Sequence, residues 1–499
     1  MRLRGADLLA RSLAAGGTRT LFSLSGNHVM PVFDAALDAR LSIVHVRHEA
    51  AAVHMADAWG RLTGEPGIAL VTGGPGHANA VSALYTALAA DSPLVLISGH
   101  APLGELGRGA FQEMRQAEVA APLAKLSWTA RSADTLGEDV ARAMREARSG
   151  RPGPVHLSVP NDVLDALTDA PLPPPSAFVA VEKPDPANAD AALSALTSAQ
   201  RPLILTGRIR PAELEEITGI PVIAMESPRG VNDPSLGRLA QILLRADAVL
   251  LAGKRADFTL KFGRAFDPTC KVFQLDMPLG LVDSARKMQW PKSGWRGEVR
   301  HALRYRPAEW KSLPDNPDGA LHPALLCRAV APLLASPDAI LVCDGGEFGQ
   351  WAQACLEAPR RIINGPAGSI GSALPFAAAA KLAAPGSRVV ALLGDGTFGF
   401  HLSELDTAVR HELPYLAVIG NDACWNAEYQ IQLRAYGKER AHGLELLRSR
   451  YGAAAAALGA HGEDVFRGAE LPAALERARD AKRVACVNVA IERVAAPVY

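Results

Sequence analysis

Short apolar runs that end in glycine or a polar residue alternate with helical patterns along most of the chain. In the first third, the succession reads TLFSLSGNH, PVFDAALDA, LSIVHVRHE, AAAVHMADAWGRLTG and PGIALVTGGPG. These runs predict strands that are each followed by a helix, and repeated units of this kind form a parallel sheet with helices on both faces. Because ligands bind outside the carboxyl ends of parallel strands, we expect the functional residues there.

The pattern divides the chain into blocks, and the predicted fold class is α/β, with three α/β domains that each contain a parallel sheet. The first domain covers 1–170 and ends where PVHLSVPNDVL meets the proline-rich segment LTDAPLPPPSAF. The second covers 186–305 and contains the runs RPLILTG, IPVIAM, ADAVLLAGK and CKVFQLD. The third covers 320–499 and contains AILVCDGG, RRIINGP, RVVALLGDG, YLAVIGND and RVACVNVAI.

Length, charge and cysteine content narrow the class of protein. The 499 residues suffice for roughly three domains of ordinary size. Basic and acidic residues number 52 each, so no net charge attracts the protein to nucleic acid or to an anionic membrane. No apolar stretch reaches the roughly 18 residues needed to span a bilayer, and the six cysteines contain no C-x-x-C pair. We therefore expect a soluble, reduced, cytoplasmic protein.

The main chemical signal lies in the third block, in the segment RVVALLGDGTFGFHLSELDTAVRHELPYLAVIGNDACWN. Gly394, Gly396 and Gly399 satisfy the pattern G-x-G-x-x-G, which taken alone is a weak sign of a dinucleotide site. Asp395 argues against that interpretation, because its carboxylate would face the pyrophosphate unless a cation lay between them. Asp422 follows the next strand, 27 positions later, so we expect both carboxylates at one sheet edge.

A magnesium ion with a diphosphate would suit these two acids. Mg²⁺ binds few protein oxygens and completes its octahedron with water and phosphate oxygens. The backbone N–H groups of Gly396 and Thr397, at the start of the following helix, would face the same phosphates. Alternatively, Asp395 caps the helix and Asp422 makes an Asx turn. The joint occurrence of both acids after hydrophobic strands favours the metal.

These residues also carry a family resemblance. Gly394-Asp395-Gly396, followed by Asn421-Asp422, resembles the signature of thiamine diphosphate enzymes, most closely that of the acetolactate synthase and benzaldehyde lyase group. The resemblance implies the domain order pyrimidine-binding, central, diphosphate-binding. It also implies that Asp395, Asp422 and the backbone oxygen of Cys424 hold Mg²⁺. The family signature usually ends in two asparagines, so Asp422 is a departure, and Asp422→Asn should be tolerated.

Two further segments of the third block match cofactor-binding positions of the family. Ile370, in NGPAGSIGSALPF, matches the bulky residue that bends the cofactor into a V, and Gly368 matches the position whose carbonyl accepts the pyrimidine amino group. The segment 343–351, with Gly346, corresponds to a loop that contacts the diphosphate. Where acetolactate synthases have Gln and His, this loop has Glu347 and Phe348, and a carboxylate cannot donate a hydrogen bond to phosphate.

In the first block, the run IVHVRHEAAAVHMADAWGR resembles the family's Arg-His-Glu motif and nominates Glu49 as catalytic. A carboxyl group that donates a proton to the pyrimidine nitrogen favours the imino tautomer, which lets the cofactor act as its own base. Alternatively, Glu49 is a first-turn acid favoured by the helix dipole, or a partner of Arg47. In the family, this glutamate meets the diphosphate site across a subunit interface, so we expect self-association.

Three more polar residues are candidates for contact with substrate. His28, in LSGNHVMP, lies where benzaldehyde lyase has an active-site histidine, and acetolactate synthases usually have a small residue there. A histidine at a strand end can relay protons to a carbonyl oxygen. His77, in TGGPGHAN, is predicted in another strand-end loop, and Gln112 matches a family glutamine near the substrate oxygen. Each of the three also has a plain structural interpretation.

The predicted activity is that of a thiamine diphosphate- and Mg²⁺-dependent enzyme that makes or breaks C–C bonds next to a carbonyl. Acetolactate synthase-like carboligation of a 2-oxo acid comes first. Benzaldehyde lyase-like cleavage of 2-hydroxy ketones follows because of His28, and then a 2-hydroxyacyl-CoA lyase or a 2-oxo acid or oxalyl-CoA decarboxylase. A nicotinamide-dependent dehydrogenase and a non-catalytic cofactor-binding homologue are the alternatives of other classes. FAD, which acetolactate synthases hold in the central domain, has no recognisable signature here and is not predicted.

Overall fold

The computed structural model describes residues 2–182, 185–211 and 213–498, so Met1 and Tyr499, at the outer ends of the first and third predicted domains, lie outside it. Parallel sheets flanked by helices occupy each of the three blocks, which confirms the predicted α/β class. Within the described residues, no helix has both the length and the apolar character that crossing a bilayer requires.

The first sheet has the strand order β3-β2-β4-β5-β7-β6, with parallel neighbours. Its continuous apolar strands are buried on both faces by helices, as is usual for parallel sheets. The elements of this block are β1 (Leu3–Arg4), α1 (Gly5–Ala15), β2 (Thr20–Ser23), α2 (Met30–Asp38), β3 (Ser42–His45), α3 (Glu49–Thr63), β4 (Gly67–Val71), α4 (Pro75–Ala89), β5 (Leu94–His100), α5 (Gln116–Ala120), β6 (Leu126–Thr129), α6 (Leu136–Arg148), β7 (Pro154–Pro160), α7 (Asn161–Asp165) and β8 (Leu167–Thr168).

The proline-rich segment after the first sheet packs back onto that sheet's domain. Strand β8 pairs antiparallel with β1, which adds a small two-stranded ribbon to the parallel sheet. Phe178 is buried in the core of the first block, and its carbonyl accepts a hydrogen bond of 2.6 Å from Arg148. Residues up to Phe178 therefore belong structurally with the first sheet.

The central block contains a smaller parallel sheet with the order β10-β9-β11-β12. Its core divides into two clusters, one on each face of the sheet. The elements are α8 (Pro186–Thr197), β9 (Pro202–Thr206), α9 (Leu214–Thr218), β10 (Val222–Ala224), α10 (Leu239–Leu243), β11 (Ala248–Ala252), β12 (Lys271–Leu275), α11 (Leu281–Arg286) and α12 (Trp295–Leu303).

The third sheet has the order β14-β13-β15-β16-β18-β17, again with parallel neighbours. Its elements are α13 (Pro323–Val330), β13 (Ile340–Cys343), α14 (Gly346–Cys355), β14 (Arg360–Ile363), α15 (Ala373–Ala383), β15 (Val389–Gly394), α16 (Asp395–His401), α17 (Glu404–Arg410), β16 (Leu416–Asn421), α18 (Asn426–Tyr436), α19 (Tyr451–Ala457), β17 (His461–Val465), α20 (Leu471–Asp480) and β18 (Ala485–Ala490).

A shared core joins the first and third blocks. Helices α3 and α15 pack against one another, and the largest hydrophobic cluster combines residues from both sheets. The contact is rich in alanine, with Ala51, Ala52 and Ala56 on one helix and Ala377 and Ala380 on the other. Small side chains let two helices approach closely, so this contact fixes the relative orientation of the two sheets.

Candidate active site

A cavity of about 170 Å³ opens at the carboxyl edge of the third sheet. All of its lining residues lie between Gly345 and Glu428. The lining includes every residue that the sequence predicts for cofactor or metal binding in this block: Gly346, Gly368, Ile370, Gly394, Asp395, Gly396, Thr397, Asp422 and Cys424. The structure therefore brings together residues that lie up to 78 positions apart in the sequence, as the strand-end argument predicts.

Two buried carboxylates form the charged part of this cavity. Strands β15 and β16 are neighbours, with Gly394 opposite Gly420, so the acids that follow them reach the same edge. Asp395 is 1% exposed and Asp422 is 7% exposed. Burial raises the pKa of Asp395 to about 6 and that of Asp422 to about 7, and the nearby charge of Asp395 adds to the second shift. Two like charges that are shielded from water repel each other, and a bound cation would neutralise them.

The donor set fits a hard divalent ion. The Asp395 Oδ2 atom is buried and has no hydrogen-bond partner among the described residues. Across that part of the chain, no group of three His, Cys, Asp or Glu side chains is placed to hold a metal. Side chains alone would therefore supply few ligands here, which suits Mg²⁺ because this ion keeps water and phosphate oxygens in its shell.

The turn after β16 is held by hydrogen bonds. The Asn421 amide donates to the Asn488 Oδ1 atom at 3.1 Å, and its oxygen accepts the Ala423 N–H at 3.2 Å. Ala423 has a left-handed backbone with φ 55°, which costs a non-glycine residue free energy and is common at functional sites. Asn421 thus serves the turn, while Asp422 faces the cavity.

Two glycines near the acids are required by close packing. A Cβ atom on Gly396 would lie 2.8 Å from the ring of Trp425, and one on Gly420 would lie 2.5 Å from the ring of Phe348. At Gly394 a Cβ atom would meet nothing within 4 Å. The Thr397 hydroxyl donates to the Gly394 carbonyl at 3.0 Å, so this hydroxyl already has a partner.

The loop that carries Ile370 is anchored by Asp344, a residue that the sequence analysis missed. The buried carboxylate of Asp344 accepts the N–H groups of Gly345 at 2.7 Å, Gly371 at 2.9 Å and Ala373 at 3.0 Å. Burial nevertheless raises its pKa to about 6. His401 also contacts this loop: its Nδ1–H donates to the Gly371 carbonyl at 2.7 Å, because a carbonyl oxygen can only accept. The signal for Asp344 was its place directly after strand β13.

Glu347 and Phe348, the two departures in the loop after β13, have defined roles in the structure. Phe348 is buried against Gly420. Glu347 lines the cavity and forms an ion pair of 3.0 Å with Arg229, which belongs to the central block. The carboxylate that cannot donate to phosphate is therefore already partnered within the chain.

Glu49 is the first residue of α3 and is 8% exposed. Its Oε2 atom accepts a hydrogen bond of 3.1 Å from the Asn79 side chain. Arg47 forms its ion pair with Asp406 in the third block, at 3.4 Å. Glu49 thus occupies a first-turn position, which favours an acid, whereas Arg47 forms its ion pair with Asp406.

His28 lies at the carboxyl edge of the first sheet, in a short 3₁₀ turn after β2. Its Nδ1 atom is 3.1 Å from the Thr72 hydroxyl, and its ring stacks on Phe111 with centroids 6.0 Å apart. Burial, followed by the charge of His100, lowers the pKa of His28. The imidazole is therefore neutral near pH 7 and can accept a proton.

Gln112 is half-buried in the loop after β5, with a left-handed backbone at φ 55° that packs against Gly74. The buried amide of the same region is Gln116, which sequence reasoning missed. Its side chain accepts the Gly74 N–H at 2.8 Å and donates to the Gly99 carbonyl at 3.0 Å. Gln116 thus holds the two strand-end segments that surround Gln112.

The predicted loop position of His77 is wrong, because helix α4 already begins at Pro75. His77 is fully buried, its Nδ1 atom is 2.8 Å from the Ser98 hydroxyl, and its ring lies 4.6 Å from that of His156. Burial lowers its pKa to about 4. The side chain therefore faces the interior behind the sheet edge, which local sequence could not show because Ser98 and His156 come from later strands.

Family models match parts of the first and third blocks. Residues 3–119 match the thiamine pyrophosphate enzyme, N-terminal TPP binding domain, and residues 344–489 match the C-terminal TPP binding domain of the same enzymes. Thiamine pyrophosphate is another name for thiamine diphosphate. The two matched ranges contain Glu49 and the Asp395–Asp422 pair, respectively.

Similar proteins include acetolactate synthases and 2-hydroxyacyl-CoA lyases. An acetolactate synthase large subunit of Mycobacterium tuberculosis is 34% identical, with 97% of this chain and 94% of that protein covered. The 2-hydroxyacyl-CoA lyase 2 of Bos taurus is 31% identical and that of Homo sapiens 30%, each with 92% of this chain and 84% of the relative covered. A nicotinamide-dependent dehydrogenase is thereby excluded. The chain belongs to the thiamine pyrophosphate enzyme family and is a thiamine diphosphate-dependent carboligase or lyase of the acetolactate synthase-like group.

Proposed function

We propose that this enzyme uses Mg²⁺ together with thiamine diphosphate, with Asp395, Asp422 and the Cys424 carbonyl as protein ligands of the ion. The observation that carries the proposal is the convergence of two buried carboxylates on one cavity, where Asp395 Oδ2 lacks a partner among the described residues. A divalent cation removes the repulsion between these groups and compensates the charge of a diphosphate.

The remaining cavity residues would orient the cofactor. Gly346, Gly394, Gly396 and Thr397 are proposed to contact the diphosphate through backbone N–H groups, and Gly368 and Ile370 to position the rings. When bound, thiamine diphosphate supplies a nucleophilic carbon that makes or breaks a bond next to a carbonyl. Ile370 suits its role because its loop is tied to Asp344, so the side chain has a rigid support.

Glu49 is proposed to hold a proton on its carboxyl group and to share it with the pyrimidine nitrogen. His28 and Gln112 are proposed to contact the substrate oxygen, and His77 supports their sheet edge from inside. All four belong to the first block, whereas the cavity is lined by residues of the third block. A volume of about 170 Å³ is below the roughly 300–1,000 Å³ of typical ligand sites. Both observations favour a homodimer or homotetramer in which each site combines two chains.

A complementation experiment tests the two-chain site. The variants Glu49→Gln and Asp395→Asn should each be inactive alone. In a C2 dimer that contains one of each, one site carries both changes and the other carries none, so mixing should restore up to about a quarter of the activity. A mixture that stays inactive while mixed dimers are shown to form would contradict the proposal.

For the substrate, we propose acetolactate synthase-like decarboxylation of a 2-oxo acid with transfer to a second carbonyl. Its support is the 34% identity to an acetolactate synthase over 97% of the chain. The second candidate is a lyase acting on 2-hydroxyacyl-CoA or 2-hydroxy ketones. It is favoured by the buried neutral His28 at the sheet edge and by the similarity to 2-hydroxyacyl-CoA lyases.

The proposed function does not include FAD binding by the central block. At the carboxyl edge of its sheet, Lys254 is paired with Asp257 at 2.9 Å, and Arg151 is paired with Asp91 at 2.6 Å. These two cations are thus paired within the chain. The six cysteines are free thiols, which suit the reducing cytoplasm that we propose as the cellular setting. The proposed domains are 1–170, 186–305 and 320–499.

Thermal stabilisation tests the cofactor assignment. Thiamine diphosphate with Mg²⁺ should raise the melting temperature, and either one alone, or both with EDTA, should raise it much less. NAD serves as the control and should have no effect. If the cofactor protects equally well in EDTA, the proposed metal is wrong. Product analysis with pyruvate, benzoin, benzaldehyde and a 2-hydroxyacyl-CoA ester then separates the two candidate reactions.

A further inference from the structure

A segment of the central block contacts two residues that line the cofactor cavity, although none of that block's described residues lines the cavity itself. The segment Ser227–Gly230 follows strand β10. Pro228 lies 3.8 Å from the position that a Cβ atom on Gly368 would take, and the Arg229 Nη2 atom is 3.0 Å from the Glu347 Oε2 atom. Both Gly368 and Glu347 line the cavity.

The segment is held in this position by local packing. The Arg229 N–H donates to the Ser227 hydroxyl at 3.2 Å, and Ser227 is almost fully buried. Gly230 has φ +54°, and a Cβ atom there would lie 2.1 Å from the Thr259 carbonyl oxygen. Only glycine can take this close approach, so Arg229 extends from a fixed backbone.

Glu347 is an unfavourable neighbour for a diphosphate unless it has a counterion. It is 6% exposed, and burial raises its pKa, while Arg229 and the Ala496 N–H lower it. The lining of the cavity contains the carboxylates of Glu347, Asp395, Asp422 and Glu428. A divalent ion bound to the two aspartates would not neutralise Glu347, on which Arg434 acts less strongly than Arg229. Its ion pair with Arg229 supplies the missing positive charge.

We propose that Arg229 is a positioning residue of the cofactor site, which acts through Glu347 by cancelling the charge of a carboxylate that would otherwise repel the diphosphate. The inference rests on the proposed function. It assigns to the central domain a part in cofactor affinity, through a pair of residues 118 positions apart. An unpaired buried charge near a multiply charged ligand weakens binding on the order of tenfold in a medium of intermediate dielectric.

Calorimetric titration of the apoenzyme with thiamine diphosphate in saturating Mg²⁺ tests the inference. Arg229→Met should raise the Kd about tenfold or more, with a smaller factor at high salt. Glu347→Gln should leave the Kd unchanged or lower, and Arg229→Met combined with Glu347→Gln should return it to near the wild-type value. Arg210→Met removes a cation of the same domain from a carboxylate, Glu215, that keeps two other arginine partners, and should not change the Kd.

The set of variants distinguishes charge cancellation from a purely structural role, in which the Arg229–Glu347 ion pair only holds the domains together. If the ion pair only holds the domains together, Glu347→Gln breaks it as Arg229→Met does, and both variants weaken binding alike, which would overturn the inference. An unchanged Kd for Arg229→Met would also overturn it, while the proposed function stands. A wild-type protein that binds no thiamine diphosphate would instead remove the proposed function and this inference together.

Discussion

The replacement Asp422→Asn gives a quantitative test of the paired carboxylates. In the apoprotein, burial and the charge of Asp395 raise the pKa of Asp422 from 3.8 to about 7. The folded state therefore holds this proton more tightly than the unfolded state does. Below about pH 4 the carboxyl is neutral in both states and carries no penalty. As the pH rises from there to about 7, the folded state loses stability, and above pH 7 the loss is complete.

The size of the effect follows from the shift. One pKa unit corresponds to about 1.4 kcal/mol, so the full penalty at alkaline pH is about 4 kcal/mol. Asparagine has no charge and avoids this penalty. The free energy of unfolding of the variant, minus that of the wild type, should increase by about 3 kcal/mol between pH 5 and pH 8.

The assay is thermal unfolding of both proteins in EDTA without cofactor. The melting temperature of the variant should exceed that of the wild type by several degrees more at pH 8 than at pH 5. Asp315→Asn, at an exposed position outside the cavity, is the matched control and should show no such trend. A difference for Asp422→Asn that is the same at both pH values would refute the reasoning, because it would show that the pKa of Asp422 is not raised in the folded protein. With Mg²⁺ present, the variant should still bind thiamine diphosphate.

Three other substitutions address separate parts of the site. Glu49→Gln should keep cofactor binding but slow deuterium exchange at the reactive carbon of the cofactor by orders of magnitude, and an unchanged exchange rate removes Glu49 from the mechanism. Asp344→Ala leaves three backbone N–H groups without their acceptor and should cost about 3 kcal/mol or more, seen as a lower melting temperature and lost protection by cofactor. An unchanged melting temperature would show that other contacts hold the loop. Gly420→Ala places a Cβ atom 2.5 Å from the Phe348 ring and should destabilise by about 1–3 kcal/mol, whereas Gly386→Ala, where a Cβ atom meets nothing within 4 Å, is its control. Equal melting temperatures for these two variants would contradict the packing argument.

Apolar runs identified the central strands of the third sheet but passed over two edge strands, one in each of the larger sheets. The runs that contain β13, β15, β16 and β18 are continuous and buried, so periodicity alone marks them. Strands β6 and β17 lie at sheet edges and are mostly half-buried. An edge strand packs less of its surface and tolerates polar residues, which removes the hydrophobic signal.

The candidate site likewise contains residues that the sequence predicted and residues that it missed. Asp395, Asp422 and Ile370 were predicted because each follows a strand or a glycine-rich loop in a recognisable pattern, and the structure places them in one cavity. Asp344 and Gln116 were missed, since their role is to bind backbone groups of distant segments. Asp344 does directly follow strand β13, but local sequence does not show that its carboxylate binds the loop that carries Ile370, and nothing near Gln116 distinguishes it from a solvated residue.

The sequence by itself determined the α/β class, the family and the strand ends at which chemistry takes place, because these depend on local alternation and short-range motifs. The tertiary structure decided which polar side chains are partnered and which remain free. It buried His77 against Ser98 and joined Arg229 to Glu347. Burial and charge pairing depend on segments that are far apart in the chain, so they exist only once the sheets and helices have packed together.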